Sequence, residues 1–221
     1  MPLHAKLLHQ TRYHYDRPVR LSPQIIRLRP APHARTPVLG YRLAIEPAPH
    51  FLNWQQDPFG NWQARVVFPD PVTHFDVTVD LTADMAVQNP FDFFVAPEAE
   101  AFPWDYDDSL ARELAPYRIV DDGSAALERF VAALDLGETG TVNRLVSLNQ
   151  QVRDRARYLI RMEPGVQTPE ETFETGKGSC RDTSWLLVQV LRNLGFAARF
   201  VSGYLIQLKP DLVALDGPAG T

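Results

Sequence analysis

A chain of 221 residues with 45% hydrophobic and 10% aromatic side chains has the apolar material for one large domain or two modest ones, a globular composition. A net charge of -5 without a basic stripe excludes the electrostatic footprint of a nucleic-acid binder. Nothing near Met1 combines a basic start, an apolar stretch and a small-residue cleavage site, and no apolar run nears the roughly 20 residues that span a bilayer, so a soluble, cytoplasmic protein with no membrane partner is expected.

The first third has period two. Lys6 to Tyr15, Gln24 to Arg29, Tyr41 to Glu46, Phe51 to Gln56, Trp62 to Phe68 and Phe75 to Thr82 are short alternating stretches with breakers between them, which predicts six antiparallel strands. Along the last of these, Phe75, Val77, Val79 and Leu81 alternate with Asp76, Thr78, Asp80 and Thr82, as a half-buried strand requires. Asp57, Pro58, Phe59, Gly60 and Asn61 form the clearest turn, with Gly60 free to take positive φ between two tryptophan-bearing strands. Six such strands predict a sandwich-like domain over residues 1–83. All six histidines, His4, His9, His14, His33, His50 and His74, lie in this region. A metal site is set aside because His4 and His14, the pair able to share a strand face, are roughly 33 Å apart along an extended chain.

Residues 84–122 hold ten acidic side chains against only Arg112 and Arg118. Pro90, Pro97, Pro103 and Pro116 alternate there with Phe91, Phe93, Phe94, Phe102, Trp104 and Tyr106, the composition of an ordered connector with irregular backbone. The acids would suit a docking or calcium-binding surface, but no calcium-loop spacing is present and solvated acids are the simpler reading, so no metal is placed here.

From residue 123 the period changes. Ala125 to Leu134 reads as a short helix, and Val142, Leu145, Asn149, Val152, Ala156 and Leu159 repeat at three and four residues over five turns, predicting one amphipathic helix. Arg153, Arg157 and Arg161 would line one flank of it, either as an anion-binding stripe or, the simpler reading, as a solvated face. Thr168, Pro169, Glu170 and Glu171 form a capping-box sequence with proline at the first helical position, so a short helix starts there and stops at Gly176. After the tight loop Gly176, Lys177, Gly178, Ser179 can cap a second helix with Cys180 at its first position and Asp182 at its third, from which the carboxylate reaches back to the cap amide. Trp185, Leu186, Val188, Leu191 and Leu194 carry that helix into the core before Gly195 ends it.

Cys180 is the one cysteine, so neither an internal disulfide nor a cysteine-rich zinc site is available, and packing or reactivity remains. A free cysteine is most often a small buried hydrophobe. A thiol in a helix's first turn, however, meets free backbone N–H groups and the positive end of the macrodipole, which favour the thiolate. Lys177 and Arg181 add positive charge on either side, while Gly176 and Gly178 leave room for an approaching carbonyl. The same amides, with Ser179, Arg181 and Asp182 as further support, could stabilise a thiolate or an oxyanion. The nucleophile reading of Cys180 therefore stands first, and no cofactor is called for.

These residues also carry a resemblance. Gly176, Lys177, Gly178, Ser179, Cys180, Arg181 and Asp182, followed by Leu191 through Tyr204, resemble the transglutaminase-like core, in which a glycine-bounded cysteine opens the core helix and a leucine-glycine break leads to a strand ending in glycine-tyrosine. Upstream, Thr11, Tyr13, Tyr15, Pro18 and Val19, then Arg27, Leu28 and Pro30, then Asp57, Phe59, Gly60 and Asn61 are similar to the β-rich N-terminal region of bacterial transglutaminase-like proteins. The resemblance implies an α+β chain: an antiparallel β-sandwich-like domain (1–83), the connector (84–122), and part of a papain-like transglutaminase core (123–221). It also implies thiolate attack on an amide of a protein or peptide substrate, with a covalent acyl-enzyme resolved by water or an amine.

In that family a histidine lies on the strand after the glycine-tyrosine strand and an aspartate on the next. Here no histidine follows Cys180, and Asp211 and Asp216 have no imidazole to orient. The expectation is a chain truncated before its base, with little turnover of its own, and an unpaired C-terminal sheet edge that invites dimerisation. The alternative is a non-catalytic protein-binding or scaffold module that keeps the fold.

Overall fold

The computed structural model describes residues 3–86, 88–137 and 140–206. Asp211, Asp216 and the sheet edge expected at the C-terminus lie outside these residues. The described chain divides into two compact units, one holding residues up to 92 together with 203–206, the other residues 93–202.

In the first unit the alternating stretches become six strands: β1 (His4–Val19), β2 (Gln24–Ile26), β3 (Val38–Glu46), β4 (Phe51–Gln56), β5 (Trp62–Val67) and β6 (Val72–Asp84). They form two antiparallel three-stranded sheets, ordered β1-β6-β3 and β2-β5-β4. One cluster joins them, with Ile26, Ala64, Val66 and Phe68 from one sheet side meeting Ile45, Val72, Phe75 and Val77 from the other. The inward residues of β6 alternate as its sequence demands, and Val79, Leu81 and Ala83 are buried while Thr78, Asp80 and Thr82 are only partly covered. The β4–β5 connection is fixed by Asp57. Its carboxylate accepts hydrogen bonds from the backbone of Phe59 and Asn61 and from the Asn61 side chain, each at 2.9 Å, and Gly60 takes φ +79°. The Asn61 side chain, then the Asn61 and Phe59 amides, hold the Asp57 carboxyl below its ordinary value. Tyr204 joins this unit, its hydroxyl donating to Leu28 O at 2.8 Å.

All α-helices among the described residues lie in the second unit: α1 (Asp108–Glu113), α2 (Ala125–Ala132), α3 (Thr141–Arg155), α4 (Pro169–Thr175) and α5 (Cys180–Asn193). Leu127 of α2, Leu148 and Val152 of α3, and Leu186 and Val190 of α5 form its core, each contributing about 1.5–3 kcal/mol by leaving water. Two expectations need correction. The helix expected through Leu159 ends at Arg155, because Ala156 turns extended (φ -126°, ψ 108°) and Arg157–Tyr158 form a short strand, β7, parallel to Lys177–Gly178, β8. Arg157 and Arg161 are therefore not on a helical flank with Arg153. The strand expected between Phe196 and Tyr204 is absent among the described residues. There the backbone is satisfied otherwise: Ala197 N donates to Tyr106 Oη (3.0 Å), Ala198 N to Tyr117 O (2.9 Å), and Ala198 O accepts from Arg192 Nε (3.0 Å).

Tyr106 and Tyr117 come from the acidic, proline-rich stretch, which is ordered and contains α1. Asp107 caps that helix by accepting from the amides of Ser109 and Leu110. Phe102 stacks on Phe196 at 4.9 Å and Trp104 meets the same ring edge-on at 5.0 Å, so the aromatic residues fix the chain just beyond α5.

Candidate functional site

Two capped helices and one parallel strand pair build the surroundings of Cys180. α4 begins with the full capping box: Thr168 Oγ1 accepts from Glu171 N at 3.2 Å and Glu171 Oε2 accepts from Thr168 N at 2.7 Å. It ends where Gly176 takes φ +60°, a left-handed cap that favours glycine. The chain then pairs with β7, since Arg157 N donates to Gly176 O (2.8 Å) and Leu159 N to Gly178 O (3.0 Å). A Cβ on Gly178 would stand 3.0 Å from Asp182 Cβ, so a side chain there would crowd the closely approaching α5.

Cys180 is the first residue of α5, which runs for 14 residues, and its side chain is exposed to solvent. The amides of Asp182 and Thr183 donate to Ser179 O, each at 3.1 Å, whereas those of Cys180 and Arg181 donate to no other described residue. The thiol thus sits beside unengaged N–H groups at a helix start.

Beneath it, Asp182 is fully buried and accepts five hydrogen bonds. Oδ2 receives Ser179 N (2.8 Å), Ser179 Oγ (2.7 Å) and Arg161 Nε (2.9 Å), while Oδ1 receives Arg161 Nη2 (2.9 Å) and Gln167 N (2.9 Å). Burial pushes the Asp182 carboxyl up, but the Arg161 guanidinium, the Gln167 amide and the Ser179 hydroxyl and amide outweigh it and hold the group far below the ordinary carboxylate range. The Asp182 hydrogen bond raises Arg161 in turn, against its own desolvation. Arg161 Nη2 also donates to Gly165 O at 2.8 Å, and Arg181 Nη2 donates to Arg161 O (3.1 Å) and Glu163 O. Residues 161–167 are thereby held against the first turn of α5 from two sides.

The structure accordingly brings Gly176, Gly178, Ser179, Cys180, Arg181 and Asp182 together within one turn-and-helix segment. Ser179 is 6% exposed and spends its hydroxyl on Asp182, Arg181 spends a guanidinium nitrogen on backbone carbonyls, and Lys177 is exposed on β8. Arg161 and Gln167 are the participants that spacing along the sequence does not disclose. A signal was present: a cap-box aspartate that is buried needs a cation, and Arg161 is the arginine nearest upstream of α4. Elsewhere, the β1–β6 register sets His14 against His74 with ring centroids 6.3 Å apart, and among the described residues no three His, Cys, Asp or Glu side chains group as metal ligands. No helix among the described residues is long and apolar enough to cross a membrane.

A solvent-facing cysteine at the head of a core helix in an α+β unit, following in the chain on a two-sheet β unit, is the arrangement expected of a transglutaminase-like fold. Residues 5–84 match the bacterial transglutaminase-like N-terminal region and residues 128–215 match the transglutaminase-like superfamily. Residues 128–215 thus belong to the transglutaminase-like superfamily, and residues 5–84 to the N-terminal region of its bacterial form. Uncharacterized proteins of Mycobacterium tuberculosis and Mycobacterium bovis are each 27% identical to it over 225 residues, covering 97% of this chain and 67% of their own length. The fold is shared with the crystal structure of a Cytophaga hutchinsonii protein described as a putative cysteine protease, at a TM-score of 0.58 and 13% identity over 88% of this chain and 66% of that one. The chain thus spans about two thirds of the length of these relatives.

Proposed function

We propose that this chain carries the nucleophile of a cysteine acyl-transfer enzyme acting on amide bonds of proteins or peptides. The observation that carries the reading is the exposed Cys180 at the first position of α5, beside the unengaged amides of Cys180 and Arg181. Sγ would attack the amide carbonyl carbon, and the oxygen that gains charge would be met by those N–H groups. Protonation of the amide nitrogen then releases an amine and leaves a thioester on Cys180, which water or a second amine resolves. The six histidines all precede residue 75, so the reading assigns the nucleophile and not its base. In this scheme Ser179 and Asp182 support the thiol by fixing the helix start, and Gly176 and Gly178 keep its approach clear.

An activated acyl ester tests this without needing a base. Mass spectrometry is expected to find one acyl group, on the peptide containing Cys180, and none in Cys180→Ala. A wild-type thiol that acylates no faster than a free thiol in solution would sink the nucleophile reading and leave the non-catalytic scaffold.

A further inference from the structure

Resting on the reading of Cys180 as nucleophile, we propose that Arg161 is a positioning residue for that thiol, acting in wild type through Asp182: its guanidinium anchors and neutralises the carboxylate that the α5 cap requires two residues from Cys180. The geometry sets up a conflict that Arg161 resolves. A carboxylate at the third position of a helix answers the cap amide, as Asp182 does toward Ser179 N. The same negative charge in the first turn opposes an anion at the first position. Arg161 grips both carboxylate oxygens at 2.9 Å in a side-on fork, with only 13% of its side chain exposed and none of Asp182's. A lysine could supply the charge but not the fork.

The placement has a further consequence. Arg161 reaches Asp182 because α3 breaks at Ala156 and β7 runs beside β8, which brings residue 161 to the first turn of α5. Its second bond to Gly165 O, with the Gln167 amide on Asp182 Oδ1, wraps residues 161–167 around the carboxylate. That segment is thereby a fixed wall against the first turn of α5. The other charges near this turn are Lys177 on β8, Arg181 on α5, Glu163 in the wall, Glu171 on α4 and Arg157 on β7. Apart from Asp182, the acids acting on Arg161 are Glu163 and Glu171, and both stay the same in the comparison below.

Cys180 is the one cysteine, so iodoacetamide labelling of the full chain reads it alone. The rate is measured against pH in wild type and in Arg161→Gln, Arg161→Lys and Asp182→Asn, with circular dichroism melts to establish folding. Arg161→Gln leaves an uncompensated carboxylate and is expected to raise the reactivity midpoint by about half to one pH unit, roughly three- to tenfold less thiolate at a fixed pH below it. Asp182→Asn leaves an uncompensated cation and is expected to lower it. Arg161→Lys is expected to keep the wild-type midpoint while hydrogen exchange at Gln167 speeds up. An Arg161→Gln chain that melts cooperatively and keeps the wild-type midpoint overturns the proposal. So does a midpoint that moves the same way in Arg161→Gln and Asp182→Asn, the result of loosening alone. Should Asp182→Asn fail to fold, the Arg161 pair still decides. Differences between variants test Arg161, whereas the acylation rate of the wild-type chain tests the nucleophile, so either can fail without the other.

Discussion

Replacing Asp182 by alanine removes the acceptor of five hydrogen bonds in one step. Ser179 N, Gln167 N and the Arg161 guanidinium lose their partner in a place where little water reaches. Breaking a buried pair by deleting one member costs about 3–5 kcal/mol, a large share of the 5–15 kcal/mol that holds a typical domain together. Far-ultraviolet circular dichroism is a suitable probe because every α-helix among the described residues lies in the second unit. With a urea m-value of about 1–3 kcal/mol per molar, the helical transition is expected to shift down by roughly 1–5 M with its slope unchanged. The pH dependence has a fixed sign. Asp182 is held far below the ordinary carboxylate range, so its contribution is complete above the unfolded value near about pH 4 and is lost as pH falls through the lower folded value. The gap between wild type and variant should therefore stay constant from neutrality down to about pH 5 and narrow only in stronger acid. A loss below about 1 kcal/mol, or a gap that already closes between neutrality and about pH 5, would refute this account of the site.

Gly178→Ala should cost about 1–3 kcal/mol by the same urea titration, because its Cβ meets Asp182 Cβ at 3.0 Å and a helix residue's Cβ cannot swing aside. Thr168→Ala removes the hydroxyl half of the α4 capping box and is expected to cost about 1 kcal/mol, with faster hydrogen exchange at Glu171 as the local sign. In the first unit, burial, aided by Tyr204, pushes the Tyr41 phenol up to about 12 against the pull of Arg29. Burial raises the Tyr204 phenol too, so an ultraviolet titration should show a late-ionising component that is reduced in Tyr41→Phe. The protonated form of Tyr41 is the native one, so any stability tied to it is complete below about pH 10 and is lost as pH rises through about 12.

Much of this was legible in the sequence where the signal is local. Strict alternation announced all six strands, and β4 (Phe51–Gln56) was bounded to the residue because Asp57 and Gly60 punctuate its end. Both cap boxes announced the starts of α4 and α5, since a capping residue acts on amides two or three positions away. Where the determinant is distant, the pattern failed. Ala156 and Leu159 keep the helical period beyond Arg155, but the backbone there is claimed by Gly176 and Gly178, about twenty residues later. Phe196 to Tyr204 reads as a strand, yet the amides of Ala197 and Ala198 are taken by Tyr106 and Tyr117 from the connector. α1 was hidden in an acidic, proline-rich stretch whose composition suggested irregular chain, although Asp107 with Asp108 in the first turn and Arg112 in the last is a helix signature.

The two errors around Arg161 and the two expectations around Asp182 turn out to be one matter. Counted along a helix, Arg161 belongs to a solvated flank with Arg153 and Arg157; counted from Cys180, Asp182 is a carboxylate near a thiol and a cap for its helix. Each description treats a charge by itself, and each leaves a difficulty. A mostly buried guanidinium needs an anion, and an anion placed in a helix's first turn works against a neighbouring thiolate. Only the break at Ala156, which no helical pattern predicts, lets one charge answer the other. The break that the amphipathic repeat conceals is therefore what makes an aspartate tolerable two residues from Cys180. The cap can then serve the helix without its charge being set against the cysteine that opens it.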